Sequence, residues 1–169
     1  MRRDTRKITI PALFSALCVV TLYIASIWPA GMFGLVAFAS VFVAAAVIEI
    51  GLASGIYVFT VSSALGMLIL PNRAAAILFV LFFGYYPVVK SIVERKLHVA
   101  LQWVMKLAVF NASLTVIWFL LRGLFLGFGG RYPGAAVVYL GGSVVFAVYD
   151  YGYTKLIWFY LDRISKYKK

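Results

Sequence analysis

The chain has 169 residues, of which 64% are hydrophobic and only 12% charged, and its mean hydropathy is +1.00. A soluble domain carries roughly 25% charged residues, so this composition excludes one and points to an all-α integral membrane protein. The net charge of +11 does not indicate nucleic acid, because the basic residues flank apolar runs and form no stripe among polar contact groups. Membrane lipid headgroups are the partner they fit.

A hydrocarbon core of ~30 Å takes about 20 helical residues, and that length divides the chain. The first helix is expected over 8–28, behind the basic residues Arg2, Arg3, Arg6 and Lys7. A basic start before an apolar run also suits a signal peptide, but this run is nearer a full span and leads straight into more apolar sequence. Ala12 and Ala16, four residues apart, share one face of this helix and permit close approach of another. The lone cysteine, Cys18, lies within the same run, so no disulfide can form inside the chain.

Pro29, Gly31 and Gly34 mark a tight outer turn. The apolar run that follows, from Met32 to Leu70, is about twice a bilayer core at 1.5 Å per residue, so it must be two helices, 32–49 and 52–70. Glu49, Ile50 and Gly51 are the expected inner turn. Pro71, Asn72 and Arg73 form the next outer turn. A fourth helix is expected over 74–89, short for a span, with Lys90 snorkelling to the interface. Lys90, Arg95 and Lys96 make a second basic cluster before a fifth helix within 97–121. Six glycine and proline residues between Gly123 and Gly134 then make the longest outer loop. The sixth helix is expected over 135–161, followed by Arg163, Lys166, Lys168 and Lys169.

Eleven of the sixteen basic residues thus fall into three clusters, which the positive-inside rule assigns to the cytoplasm. Six crossings in one compact bundle place both termini there. The expected location is a bacterial inner membrane, since no outer soluble domain is evident. Arg73, Arg122 and Arg131 break the pattern on the outer side, and Lys106 and Lys155 are internal or interfacial.

Catalytic and metal sites need clustered His, Cys, Asp or Glu, whereas this chain has one His, one Cys and five scattered carboxylates. No glycine-rich phosphate loop is present, so neither an enzyme, a metal nor a cofactor is expected. Ionisable groups inside a membrane cost roughly 2.5 to 3.5 kcal/mol at a helix centre and so face protein or water. Asp150, between Tyr149 and Tyr151, is such a group, and Lys106 at comparable depth is its expected partner in an ion pair. Lys155 competes for it but can snorkel. Polar groups recur at Thr60, Ser62 and Ser63 of the third helix and at Asn111, Ser113 and Thr115 of the fifth. They serve either as hydrogen bonds between helices or, around an outward cavity, as contacts for a small polar ligand. Trp28, Trp118, Arg122, Arg131, Tyr132 and Tyr139 lie near the mouth of such a cavity, although an interfacial aromatic belt explains the aromatic residues as well.

The stretch from Arg6 to Leu17 (Arg6-Lys7-Ile8-Thr9-Ile10-Pro11-Ala12-Leu13-Phe14-Ser15-Ala16-Leu17), the Pro-Gly turn after it, the chain's size and the six spans together resemble the substrate-binding S component of energy-coupling factor transporters. The resemblance covers essentially the whole chain. It implies that Ala12 and Ala16 pack against a transmembrane coupling subunit, and that two ATPase subunits drive uptake of a vitamin-like small molecule captured outside. It also implies that the chain itself holds no nucleotide. No metal-ligand motif stands at the amino terminus, so metal-ion uptake is not expected. Two other readings fit the same composition: a small membrane scaffold of the envelope or cell-shape machinery, and an ion-coupled carrier that uses Asp150.

Overall fold

The computed structural model describes residues 2–120 and 135–165, and every element among them is helical. Helix α1 spans Arg2–Ile27, and a short 3-10 turn at Pro29–Gly31 leads into α2, Met32–Glu49. Helix α3 is Leu52–Ile69 and α4 is Arg73–Leu78; α4 runs through a π-helical turn at Phe79–Phe83 towards α5, Tyr86–Lys96. Helix α6 is Val99–Leu120 and α7 is Ala135–Ser165. Among the described residues, five stretches are long and apolar enough to cross a membrane: Thr5–Ile27, Pro29–Glu49, Leu52–Ile69, Arg73–Arg95 and Val99–Phe119. At 31 residues α7 is about 46 Å long at 1.5 Å per residue, more than a bilayer core requires. This set of long apolar helices suits a multi-pass membrane protein.

Two compact units divide it, Met1–Lys106 and Leu107–Lys169. In the first, α1 sorts its residues cleanly. Pro11, Ser15, Cys18, Leu22 and Ala25 recur at alternating steps of four and three and are buried. Ala12, Leu13, Ala16, Leu17, Val20, Ile24 and Ile27 stand exposed on the other face. That period is the helical one, so one stripe packs on protein and the other meets its surroundings.

The centre of the first unit is α2, which packs against α1, α3, α4, the π turn and α5. Its sequence explains why. Ala39, Ser40, Val43, Ala44, Ala45, Ala46 and Val47 are buried, and their small side chains let neighbours approach from several sides. Helices α1 and α2 are antiparallel: Phe14 meets Phe42 at 6.5 Å between ring centroids, and Arg6 reaches Glu49 at 3.8 Å one end further on. The turn between α2 and α3 is Ile50 and Gly51; Gly51 adopts φ 124°, a left-handed conformation that side chains other than glycine rarely tolerate.

Asn72 ends the next turn by accepting the Ala74 N–H on its side-chain oxygen at 3.0 Å, an ordinary N-cap. The span that begins there does not stop at residue 89. It continues to Lys96, and its apolar stretch Arg73–Arg95 of 23 residues is about 34 Å long, a full crossing. The Gly84 N–H bonds to the Phe79 carbonyl at 2.7 Å, the wider spacing of a π turn, so the helix passes Tyr85 and Pro87 without ending. With four crossings, the first unit carries Arg6, Lys7, Lys90 and Arg95 at one end and Arg73 at the other. Two of the three basic clusters therefore share an end.

In the second unit, α6 from Leu107 onward lies antiparallel to α7. Phe110 stacks on Phe146 with centroids 4.7 Å apart, and Thr115 bonds to Tyr139 at 2.7 Å, so contacts move up one helix as they move down the other. Val137, Leu140, Val144, Val145, Val148, Trp158 and Phe159 of α7 are exposed, as expected of a lipid-facing stripe.

Candidate functional site

Lys90 and Glu94 are four residues apart on α5 and hence on one face of it. Glu94 Oε1 accepts from the Lys90 ammonium at 2.8 Å and from the Lys106 ammonium at 2.6 Å. The lysine side chains are only 2% and 5% exposed, whereas that of Glu94 is 38% exposed. The short turn at Leu97 and His98 returns the chain so that α6 brings Lys106 back to α5. Gln102 fixes that return, its Nε2 donating to the Leu97 carbonyl at 2.8 Å, and the Lys106 ammonium also lies 5.8 Å from the Trp103 ring centroid. Two desolvated cations thus share one carboxylate, and the arrangement pins α5 to the start of α6.

Lys90 departs from its expected role. It does not snorkel at the end of a short helix but is buried a turn and a half inside a longer one. A carboxylate one turn away lowers the cost of burying an ammonium, so the chain need not carry Lys90 out to headgroup level. Glu94 was not singled out from sequence, although a Lys and a Glu four residues apart were a usable signal. Lys106 is buried as expected of an intramembrane charge and takes Glu94 as a partner.

Asp150 is 3% exposed on α7, where the Thr154 hydroxyl donates to its main-chain carbonyl at 2.7 Å. Tyr149 and Tyr153 on the same helix lie with ring centroids 5.4 Å apart. Lys155 is exposed, its ammonium 5.6 Å from the Tyr151 ring centroid four residues earlier.

Among the residues expected to meet a ligand, Thr115 and Tyr139 are brought together by their hydrogen bond. Asn111 and Thr115 also turn inward on their own helix, bonding the Leu107 and Asn111 carbonyls, and Trp118 is half-buried. In the first unit, Trp28 is 63% exposed at the 3-10 turn. Thr60 is exposed and donates to the Ile56 carbonyl at 2.9 Å, while the Ser63 hydroxyl is buried with no hydrogen-bond partner among the described residues. Arg122, Arg131 and Tyr132 lie outside the described residues. Removing the Thr115 hydroxyl as Thr115→Val, or that of Tyr139 as Tyr139→Phe, should each cost about 0.6 kcal/mol, and the double variant little more than either alone, because all three delete the same hydrogen bond. Unfolding by detergent titration measures this; a loss of several kcal/mol would mean these groups hold more than each other.

Ala12 and Ala16 both fall on the exposed stripe of α1, between Leu13, Leu17 and Val20. No group of three or more His, Cys, Asp or Glu residues is placed to hold a metal ion among the described residues. No protein-family description, no curated protein and no solved structure matches the chain. Its function is therefore argued from the arrangement of its own residues.

Proposed function

We propose that the chain is a substrate-binding membrane subunit of a multi-component importer of the energy-coupling factor type, held in a bacterial inner membrane with both termini cytoplasmic. In this reading it captures a vitamin-like small molecule from outside, and a transmembrane coupling subunit with two ATPases drives release inward. The observation that supports it most is the outward stripe of α1. Two alanines one turn apart, exposed among larger apolar residues, form a shallow seat in which a partner helix can lie close enough for backbone-level packing. The shared end of the Arg6, Lys7, Lys90 and Arg95 charges supports the orientation, since an even number of crossings returns basic segments to one side.

The seat is testable by filling it. Ala12→Leu together with Ala16→Leu leaves the apolar character and the buried stripe of α1 intact, so the protein should insert and purify as before. Loss of a partner's close packing worth about 1.4 kcal/mol would reduce recovery of the coupling subunit about tenfold. Undiminished recovery from the double variant would place the coupling subunit elsewhere.

A further inference from the structure

At the end of the first unit that carries Arg6 and Glu49, a groove of about 370 Å³ opens between α1 and the beginning of α3. Lys7, Ile8 and Pro11 form one wall, and Ile50, Ser54 and Tyr57 form the other. The lining is apolar except for a few groups, and those groups share a preference. Lys7 supplies an exposed ammonium, and Tyr57, also exposed, supplies a phenol. Ser54 is 7% exposed, yet its hydroxyl has no hydrogen-bond partner among the described residues. That hydroxyl is closed off from the groove, so the side-chain groups a ligand can reach are the Lys7 ammonium and the Tyr57 phenol.

The backbone around the groove is also incomplete. Leu52 and Ala53 occupy the first turn of α3, where amides have no partner within the helix and favour an anion. The carboxylate of Glu49, which would repel an anion, is engaged by Arg6 at 3.8 Å.

We infer that this groove binds an anionic phospholipid, its phosphate taken by the Lys7 ammonium beside the Tyr57 phenol and the first part of an acyl chain lying against Ile8, Pro11 and Ile50. The occupant is a lipid and not a free anion, because the charged group is single and the walls are apolar. The groove also opens beside Ile8 and Tyr57, which are exposed on the membrane-spanning surface. The site belongs to the first unit alone and does not depend on the importer reading.

The test is titration of the detergent-purified full chain with phosphatidylglycerol and with phosphatidylcholine, read by native mass spectrometry. Phosphatidylglycerol should bind about fivefold more tightly, the effect of one basic residue near an anionic headgroup. Lys7→Gln should abolish the preference, and because Lys7 is exposed the variant should unfold at the same temperature as the parent without lipid. Ala53→Trp, which crowds the groove from the exposed first turn of α3, should lower binding of both lipids. Inorganic phosphate should not displace bound phosphatidylglycerol. Equal affinity for the two lipids, a preference that survives Lys7→Gln, or displacement by inorganic phosphate would each overturn the inference.

Discussion

Glu94→Gln is expected to be the most damaging single polar substitution in the first unit. It leaves the shape of the side chain nearly unchanged and removes the charge that Lys90 and Lys106 share at 2.8 and 2.6 Å. Breaking a fully buried ion pair costs 3–5 kcal/mol, since a buried ammonium then loses part of what offsets its desolvation. Here the carboxylate is 38% exposed, so water screens part of the interaction and the expected loss is about 2–3 kcal/mol. Glu94→Asp keeps the charge on a side chain one methylene shorter and should lose markedly less. The measurement is unfolding of both variants in mild detergent. Equal stability of Glu94→Gln and the parent would show that the cluster does not hold α5 to α6.

The second large effect is expected at Gly55, in the first half of α3. A Cβ built there would collide with the Val47 Cγ2 methyl of α2 and lie 3.5 Å from the Val43 carbonyl oxygen. Gly55 packs directly on α2, and Val47 is β-branched, with little rotamer freedom to move aside inside a helix. Gly55→Ala should therefore destabilise by about 1–3 kcal/mol through overpacking, despite the better helix propensity of alanine. The cause is checked by removing the obstacle. In a Val47→Ala background the same Gly55→Ala substitution should cost far less, giving a coupling of about 1 kcal/mol or more in a double-mutant cycle. Simple additivity would mean that the helices separate freely at this point.

Much of the span pattern was legible because length and hydropathy act on every residue of a membrane helix. The run from Met32 to Leu70 was too long for one crossing, and Gly51 marks the turn because its φ of 124° suits no other residue well. Pro71 and Asn72 marked the next turn for equally local reasons, with Asn72 serving as the cap of α4. The limit placed at residue 89 failed for a different reason. A hydropathy ruler treats any lysine as the edge of the membrane, but Lys90 is buried by pairing, and pairing depends on what stands one turn away and on the returning helix. The α5 spacing of Lys90 and Glu94 could have suggested the first contact. Nothing local could have suggested Lys106, which arrives through the fold of the hairpin at Leu97 and His98.

The same distinction separates the candidate residues. Ala12 and Ala16 were assigned one face by helical spacing, and the structure places both on the exposed stripe. The pairing of Thr115 with Tyr139 needed the antiparallel register of α6 and α7, which the polarity of the fifth expected helix did not reveal. Ser54 and Tyr57 attracted no notice in the sequence, since a serine and a tyrosine in a membrane helix are ordinary. They gain interest only where α3 begins beside Lys7 and Pro11.

The role proposed for this chain, the membrane-embedded binding subunit of an importer, requires partners and a ligand that stay with it. Its most direct test is affinity purification of the intact chain from its native membrane in mild detergent, with mass spectrometry of the proteins and small molecules recovered. The expected recovery is one further membrane subunit, two ATPase subunits and a small vitamin-like molecule. Recovery of the chain with neither ATPases nor a small molecule, or with envelope or cell-shape proteins in their place, would contradict it.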